Sequence, residues 1–187
     1  MPVIETNHRP GAPRYLEDFA VGDLTETGEF TVTRDMILSF AEQYDPQPMH
    51  LDDAAARDTV FGELVGSGWQ TLAVTMRLLV DARLLGGTPI VGAEFKDMRF
   101  HAPMRPGDTL RASAEVMAIH PSKSRPDRGF VDMRVTTKNS AGATLVTQSW
   151  SLMVPSRSRG FLVFAGRADV PHKKPAEQVR PEGHRPA

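Results

Sequence analysis

The chain has 187 residues, a formal charge of −1 and no cysteine. That length suits one domain with a sizeable core and a tail, and the near-neutral charge argues against binding nucleic acid or an anionic membrane through bulk charge. The absence of cysteine excludes disulfides, thiolate chemistry and cysteine metal sites, and it fits a reducing compartment.

Residues 1–14 read as a flexible lead-in. Pro2, Asn7, His8, Arg9, Pro10, Gly11 and Pro13 replace the apolar core that a signal peptide needs. Nowhere does an apolar run approach the roughly 18 residues of a membrane span, so the expectation is a cytoplasmic protein with no membrane or nucleic-acid partner. The domain is expected over 15–154. It opens on a turn-containing stretch, Tyr15 to Asp23, followed by a strand from Glu26 to Val32. Thr33 is placed as the N-cap of a helix from about Arg34 to Tyr44, with Met36, Ile37, Phe40 and Ala41 on its apolar side.

The next stretch, Tyr44-Asp45-Pro46-Gln47-Pro48-Met49-His50, is the most informative. It sets a carboxylate and an imidazole five positions apart across two prolines. Proline fixes its own φ and restricts the residue before it, so the connector is expected to be stiff and extended rather than helical. A stiff bridge holds the two groups in one mutual geometry, as proton transfer requires. Asp52 and Asp53 then read as acids at the positive end of a short helix to Arg57, with no chemistry required of them.

Ser67 is a plausible N-cap for a long helix from about Gly68 to Leu85, apolar around most of its circumference and ended by Gly86-Gly87. Strands follow at roughly 90–101, 109–120, 129–138 and 143–154, separated by Pro- and Gly-containing turns. One buried helix followed by four consecutive strands predicts an α+β fold, an antiparallel sheet wrapped around a helix. Residues 155–187 read as a largely flexible extension in which Phe161 to Phe164 forms an apolar island.

This order resembles the hot-dog fold, and its residues resemble the MaoC-like acyl dehydratases, which include the (R)-specific enoyl-CoA hydratases. The family pattern Asp-x-Asn-Pro-aliphatic-His is matched by Asp45-Pro46-Gln47-Pro48-Met49-His50, and its Gly-containing helix start by Gly66-Ser67-Gly68-Trp69. Phe100 to Leu110 is similar to the family's strand–turn–strand, with Pro103 and Gly107-Asp108 in place. The resemblance implies a lyase that reversibly hydrates a 2-enoyl thioester. In it Asp45 and His50 hold and deprotonate a water, and the Gly68 N–H faces the thioester oxygen. It also implies no cofactor beyond the CoA of an acyl-CoA substrate, and a homodimer or dimer of dimers. Two departures concern the acyl pocket: Gln47 stands in place of the usual Asn, and Ser67-Gly68-Trp69 in place of His-Gly-Met. Gln47, Ser67 and Trp69 are therefore candidate substrate-binding residues.

Other readings stand beside these. Gly68 serves equally as a small residue for tight packing at the helix entry. The basic loop Ser122 to Gly129 is read first as a solvated turn; its alternative is phosphate binding by Arg125 and Arg128. Asp81 lies on the long helix, where some hot-dog thioesterases place an acid, which gives it a catalytic reading by resemblance. An acyl-CoA thioesterase and a non-catalytic acyl-thioester binding protein are kept as alternatives. The six histidines show no paired ligand spacing, and no metal site is expected.

Overall fold

The computed structural model describes residues 12–157. The chain opens with a 3-10 turn at Leu16–Asp18 and two short strands, β1 (Leu24–Glu26) and β2 (Phe30–Thr31). Three helices follow: α1 (Arg34–Tyr44), α2 (Pro48–Leu51) and α3 (Asp53–Arg57). The longest helix, α4 (Gly68–Asp81), leads into β3 (Val91–Phe100), β4 (Thr109–Pro121), β5 (Arg128–Asn139) and β6 (Thr144–Pro155). All pairings are antiparallel in the order β1-β4-β5-β6-β3, with β2 also on β4. This is the expected α+β arrangement of a sheet curved around one helix.

The caps lie where the sequence puts them. Thr33 accepts from the Met36 N–H at 3.2 Å, and Ser67 from the Trp69 N–H at 3.1 Å. Asp52 caps α3 by accepting from Ala55 at 2.7 Å, which gives that acid its structural role. Gly107 and Gly142 occupy turns at φ 87° and 84°, a region closed to most side chains. The expected strand over Glu26–Val32 is interrupted: β1 starts earlier, at Leu24, and Thr27 to Glu29 break the pairing before β2.

The long helix is shorter than its apolar pattern suggests. It stops at Asp81, and Arg83 takes φ 52°, so Leu84 and Leu85 enter the core from a turn rather than from helix. Only one side of α4 is buried. Val74, Leu78 and Leu79 face the sheet, while Trp69, Arg77, Val80 and Asp81 are exposed. Ala112 and Ala114 of β4 are small and buried where α4 crosses closely. The helix also carries hydroxyls: Thr75 Oγ1 lies 2.7 Å from Thr137 Oγ1 on β5 and bonds the Thr71 carbonyl at 2.8 Å. A buried hydroxyl is tolerated because it is paired.

Within the expected lead-in, Pro13 bridges Gly86 and the Arg14 N–H donates to Leu85 O at 3.2 Å. The Arg14 guanidinium pairs with Asp23 and lies 3.9 Å from the Phe19 ring centroid. The start of the described chain is thus docked against the turn after α4. Residues 1–11 and 158–187, which include the apolar island at Phe161 to Phe164, lie outside the described residues. No helix among the described residues is long and apolar enough to cross a membrane.

Candidate active site

Asp45 terminates α1. Its N–H still donates to Ala41 O at 3.0 Å, but its φ of −152° has left the helix, because the following Pro46 disfavours helical backbone at the preceding residue. The extended bridge expected from there to His50 is only half present. Gln47 is extended, but Pro48 opens the one-turn helix α2, and His50 lies inside it. The correction has a simple cause: proline is welcome at the first helical position, where its missing N–H has no partner to lose. His50 is buried and turned inward by this turn.

The loop ahead of α4 is laced to the same place. Val65 donates to Met49 O at 3.0 Å, and Gly66 to Met104 O at 2.7 Å. His50 Nδ1 lies 2.8 Å from the Val65 carbonyl, which can only accept, so Nδ1 carries the proton. In neutral His50 the lone pair is therefore on Nε2, which faces Asp45 Oδ2 at 3.5 Å. That distance leaves two acceptors side by side rather than a direct bond.

Asp45 is held from both ends. The Ser67 hydroxyl donates to Oδ2 at 2.6 Å, and the Gln47 amide donates to Oδ1 at 2.7 Å. The Ser67 bond first and the Gln47 bond second hold this carboxyl below the usual carboxylate range; burial opposes them, and attraction to His50 adds to them. Ser67 Oγ also caps α4, so one hydroxyl ties the carboxylate to the helix start. The Gly68 N–H has no acceptor among the described residues. It stands at the positive end of α4, available to an incoming oxygen.

Asp45, His50 and Gly68 line one cleft of about 510 Å³ with Gln47, Met49, Phe61, Trp69 and Phe100 to Met104. The structure thus joins the sequence-named carboxylate, imidazole and helix start, with Gln47, Ser67 and Trp69 around them. Trp69 is 67% exposed at the rim. The Phe100 ring lies so close over Gly68 that a Cβ there would sit 2.9 Å from it, which gives Gly68 the packing role as well. Phe61, Phe100, His101 and Met104 were not singled out from sequence as cleft residues; the Phe100–Leu110 pattern was the available signal for three of them.

Arg125 and Arg128 are not part of this assembly within one chain. Arg128 pairs across the sheet with Pro155, whereas Phe100 pairs with Val146 and that with Thr137. The basic hairpin is thus about 30 Å along β5 from the cleft. Arg128 forms an ion pair with Asp127 at 2.7 Å. Asp81 is also remote, about 20 Å down α4 from Gly68, and it pairs with Arg77 on the exposed side at 2.6 Å. No group of three or more potential metal ligands occurs among the described residues.

The profile of the family described as MaoC like domain matches residues 19–139. The chain belongs to this family. A crystal structure of the MaoC-like dehydratase from Rhodospirillum rubrum superposes with a TM-score of 0.71 at 42% identity, over 78% of this chain and 99% of that one. An R-hydratase from Pseudomonas aeruginosa superposes at 0.63 with 26% identity, over 77% of this chain and 87% of that one. In sequence, the chain is 29% identical over 143 residues to the (R)-specific enoyl-CoA hydratase of Rhodospirillum rubrum, 76% of this chain and 93% of that protein. The α+β arrangement is accordingly the hot-dog fold of the MaoC-like proteins.

Proposed function

We propose that this MaoC-like protein reversibly adds water to a trans-2-enoyl thioester, giving a 3-hydroxyacyl thioester, with CoA as the acyl carrier. The observation that carries this is the pair of acceptors, Asp45 Oδ2 and His50 Nε2, 3.5 Å apart beside the unpaired Gly68 N–H. A water donating to both presents an oxygen lone pair to C3 of the substrate. As the C3–O bond forms, the π electrons of C2=C3 move to C2 and the thioester carbonyl. The Gly68 N–H, backed by the helix dipole, stabilises the enolate-like oxygen. The proton taken from water is then returned to C2. Atoms balance without a redox or prosthetic group.

The test is a panel of enoyl-CoA substrates from crotonyl-CoA upward, followed by loss of enoyl absorbance, with chiral analysis of the product. We expect hydration to the (R)-3-hydroxy product, in keeping with the name of the Rhodospirillum rubrum relative. Release of free CoA thiol without loss of the double bond would instead establish a thioesterase. Saturable binding with no turnover would establish a binding protein.

The active unit in this reading is a homodimer joined along β3. This ten-residue strand is a sheet edge, exposed along its whole length, with Phe95 and Phe100 47% and 54% exposed. A long apolar edge invites pairing with a second copy. Sedimentation should give twice the chain mass for wild type and a lighter species for Phe95→Lys. A wild-type protein that sediments as a monomer at micromolar concentration would refute the pairing.

A further inference from the structure

Hydration engages the dyad and the helix start but gives no role to the apolar walls of the same cleft. Two aromatic side chains from separate segments, Phe61 and Trp69, line it together with the thioethers of Met49 and Met104. Trp69 is 67% exposed and Phe61 39%. A single exposed ring is unremarkable on a protein surface. Two that open onto one concave site beside catalytic groups mark a surface that a ligand covers.

Both rings are presented by fixed backbone. Phe61 stands in a turn closed by the Gly62 N–H donating to Thr59 O at 3.1 Å, with Gly62 at φ 69°. The next residue, Glu63, pairs with Arg105 at 2.6 Å, which ties this turn to the segment after Met104. Trp69 belongs to the first turn of α4, where its N–H bonds Ser67 Oγ. Side chains on a helix lean towards its N-terminus, so the indole covers the end that presents the Gly68 N–H.

Neither ring is spent on another ring. The aromatic pairs among the described residues are Phe40 with Tyr44 and Phe95 with Trp150. The third aromatic of the cleft, Phe100, is already occupied, because its ring packs on Gly68. The π faces of Phe61 and Trp69 are therefore left to whatever enters beside the dyad.

We infer that the acyl group accepted here carries an aromatic ring near C5, held against the Trp69 indole and the Phe61 ring. This rests on the enoyl-thioester reading and names the substrate class within it. A ring on C3 itself would conjugate with the double bond and oppose hydration, so the ring belongs beyond C3. An acyl group with a second carboxylate is the wrong chemistry for this cleft, because no lysine or arginine lines it and Asp45 already supplies an anion. An alkyl group of the same size covers the same area but lacks the edge and face of a π system. That attraction adds about two- to tenfold for one ring pair beyond the area buried. The Met49 and Met104 sulfurs favour an aromatic partner in the same direction.

The experiment compares trans-5-phenylpent-2-enoyl-CoA with trans-5-cyclohexylpent-2-enoyl-CoA, which match in size and differ in the π face. Wild type is expected to favour the phenyl substrate by about three- to tenfold in kcat/KM, and Trp69→Leu to bring the ratio near unity. Calorimetry with the two saturated acyl-CoA analogues on wild-type protein reads the same preference without turnover, and it covers the case in which Trp69→Leu fails to fold. Of the two tryptophans, Trp150 is buried, so a change in solvent-exposed indole emission on adding the phenyl analogue reports contact at Trp69. Phenyl-selective binding by a protein that hydrates nothing would uphold this wall chemistry and reject the hydratase reading. Equal or cyclohexyl-favouring values in both kinetics and binding would overturn the inference. So would a phenyl preference that survives Trp69→Leu, or indole emission that neither analogue moves.

Discussion

Asp45→Asn is expected to lower kcat/KM for crotonyl-CoA by about 10³-fold, and His50→Ala by a similar factor. The two substitutions remove different halves of one device. The amide at position 45 keeps the size of the carboxylate but no longer draws a proton from the water held between Oδ2 and Nε2. Alanine at position 50 removes the second acceptor and also leaves the Val65 carbonyl without its donor. An unpaired buried carbonyl costs about 1–3 kcal/mol, so His50→Ala should also lower the melting temperature; Asp45→Asn should lower it too, because an amide keeps one acceptor oxygen for the two donors from Gln47 and Ser67. The double variant should be little worse than either single one, since neither group holds the water alone. The measurement is initial rate beside a thermal melt for each protein. If Asp45→Asn retains more than a tenth of the wild-type rate, the dyad is not the base.

The parts of this site that sequence could disclose are those governed by local chemistry. Thr33, Asp52 and Ser67 announce helix starts through side chains that satisfy nearby N–H groups, and each does so in the structure. Pro46 forces Asp45 out of α1, an effect confined to adjacent residues. Pro48 is ambiguous in sequence because proline breaks a helix interior but suits its first turn, and its flanks alone do not separate the two cases. The end of α4 is ambiguous in sequence for a related reason. Apolar spacing persists through Leu84 and Leu85, which reach the core from the turn around Arg83, so burial continues after the helix has stopped.

What sequence could not disclose depends on register. His50 bonds the Val65 carbonyl, and a backbone acceptor leaves no trace in a residue pattern. Arg125 and Arg128 sit in a hairpin whose basic character is plain, yet only the pairing of Arg128 with Pro155 shows that it projects from the far end of the sheet. The exposure of β3 is likewise invisible from its composition. Its inward Phe95 and Phe100 resemble core residues, and their exposure reflects the edge position of the strand in a single chain.

Ser67→Ala is expected to reduce kcat/KM by about 10- to 100-fold and to change its pH dependence, which a purely structural loss would leave alone. The Ser67 hydroxyl is the foremost reason that the Asp45 carboxyl lies below the usual carboxylate range, with the Gln47 amide second. Donation to an anion stabilises the charged form, so removing the donor raises the carboxyl's pKa. The base works only when ionised. The acid limb of the kcat/KM profile should therefore move to higher pH in Ser67→Ala, and less far in Gln47→Ala. Stability follows the same sign. A carboxyl with a depressed folded-state pKa stabilises the fold above its unfolded value, and that contribution is lost as pH falls through the folded value. Wild type should thus lose more stability than Ser67→Ala across the acid range. Ser67→Ala also removes the cap on Trp69, which costs about 1 kcal/mol at every pH. Ser67→Thr retains a hydroxyl and should restore both the rate and the acid limb. An acid limb that coincides in wild type and Ser67→Ala, with only the rate reduced, would show that Ser67 shapes the helix start without governing the charge on Asp45.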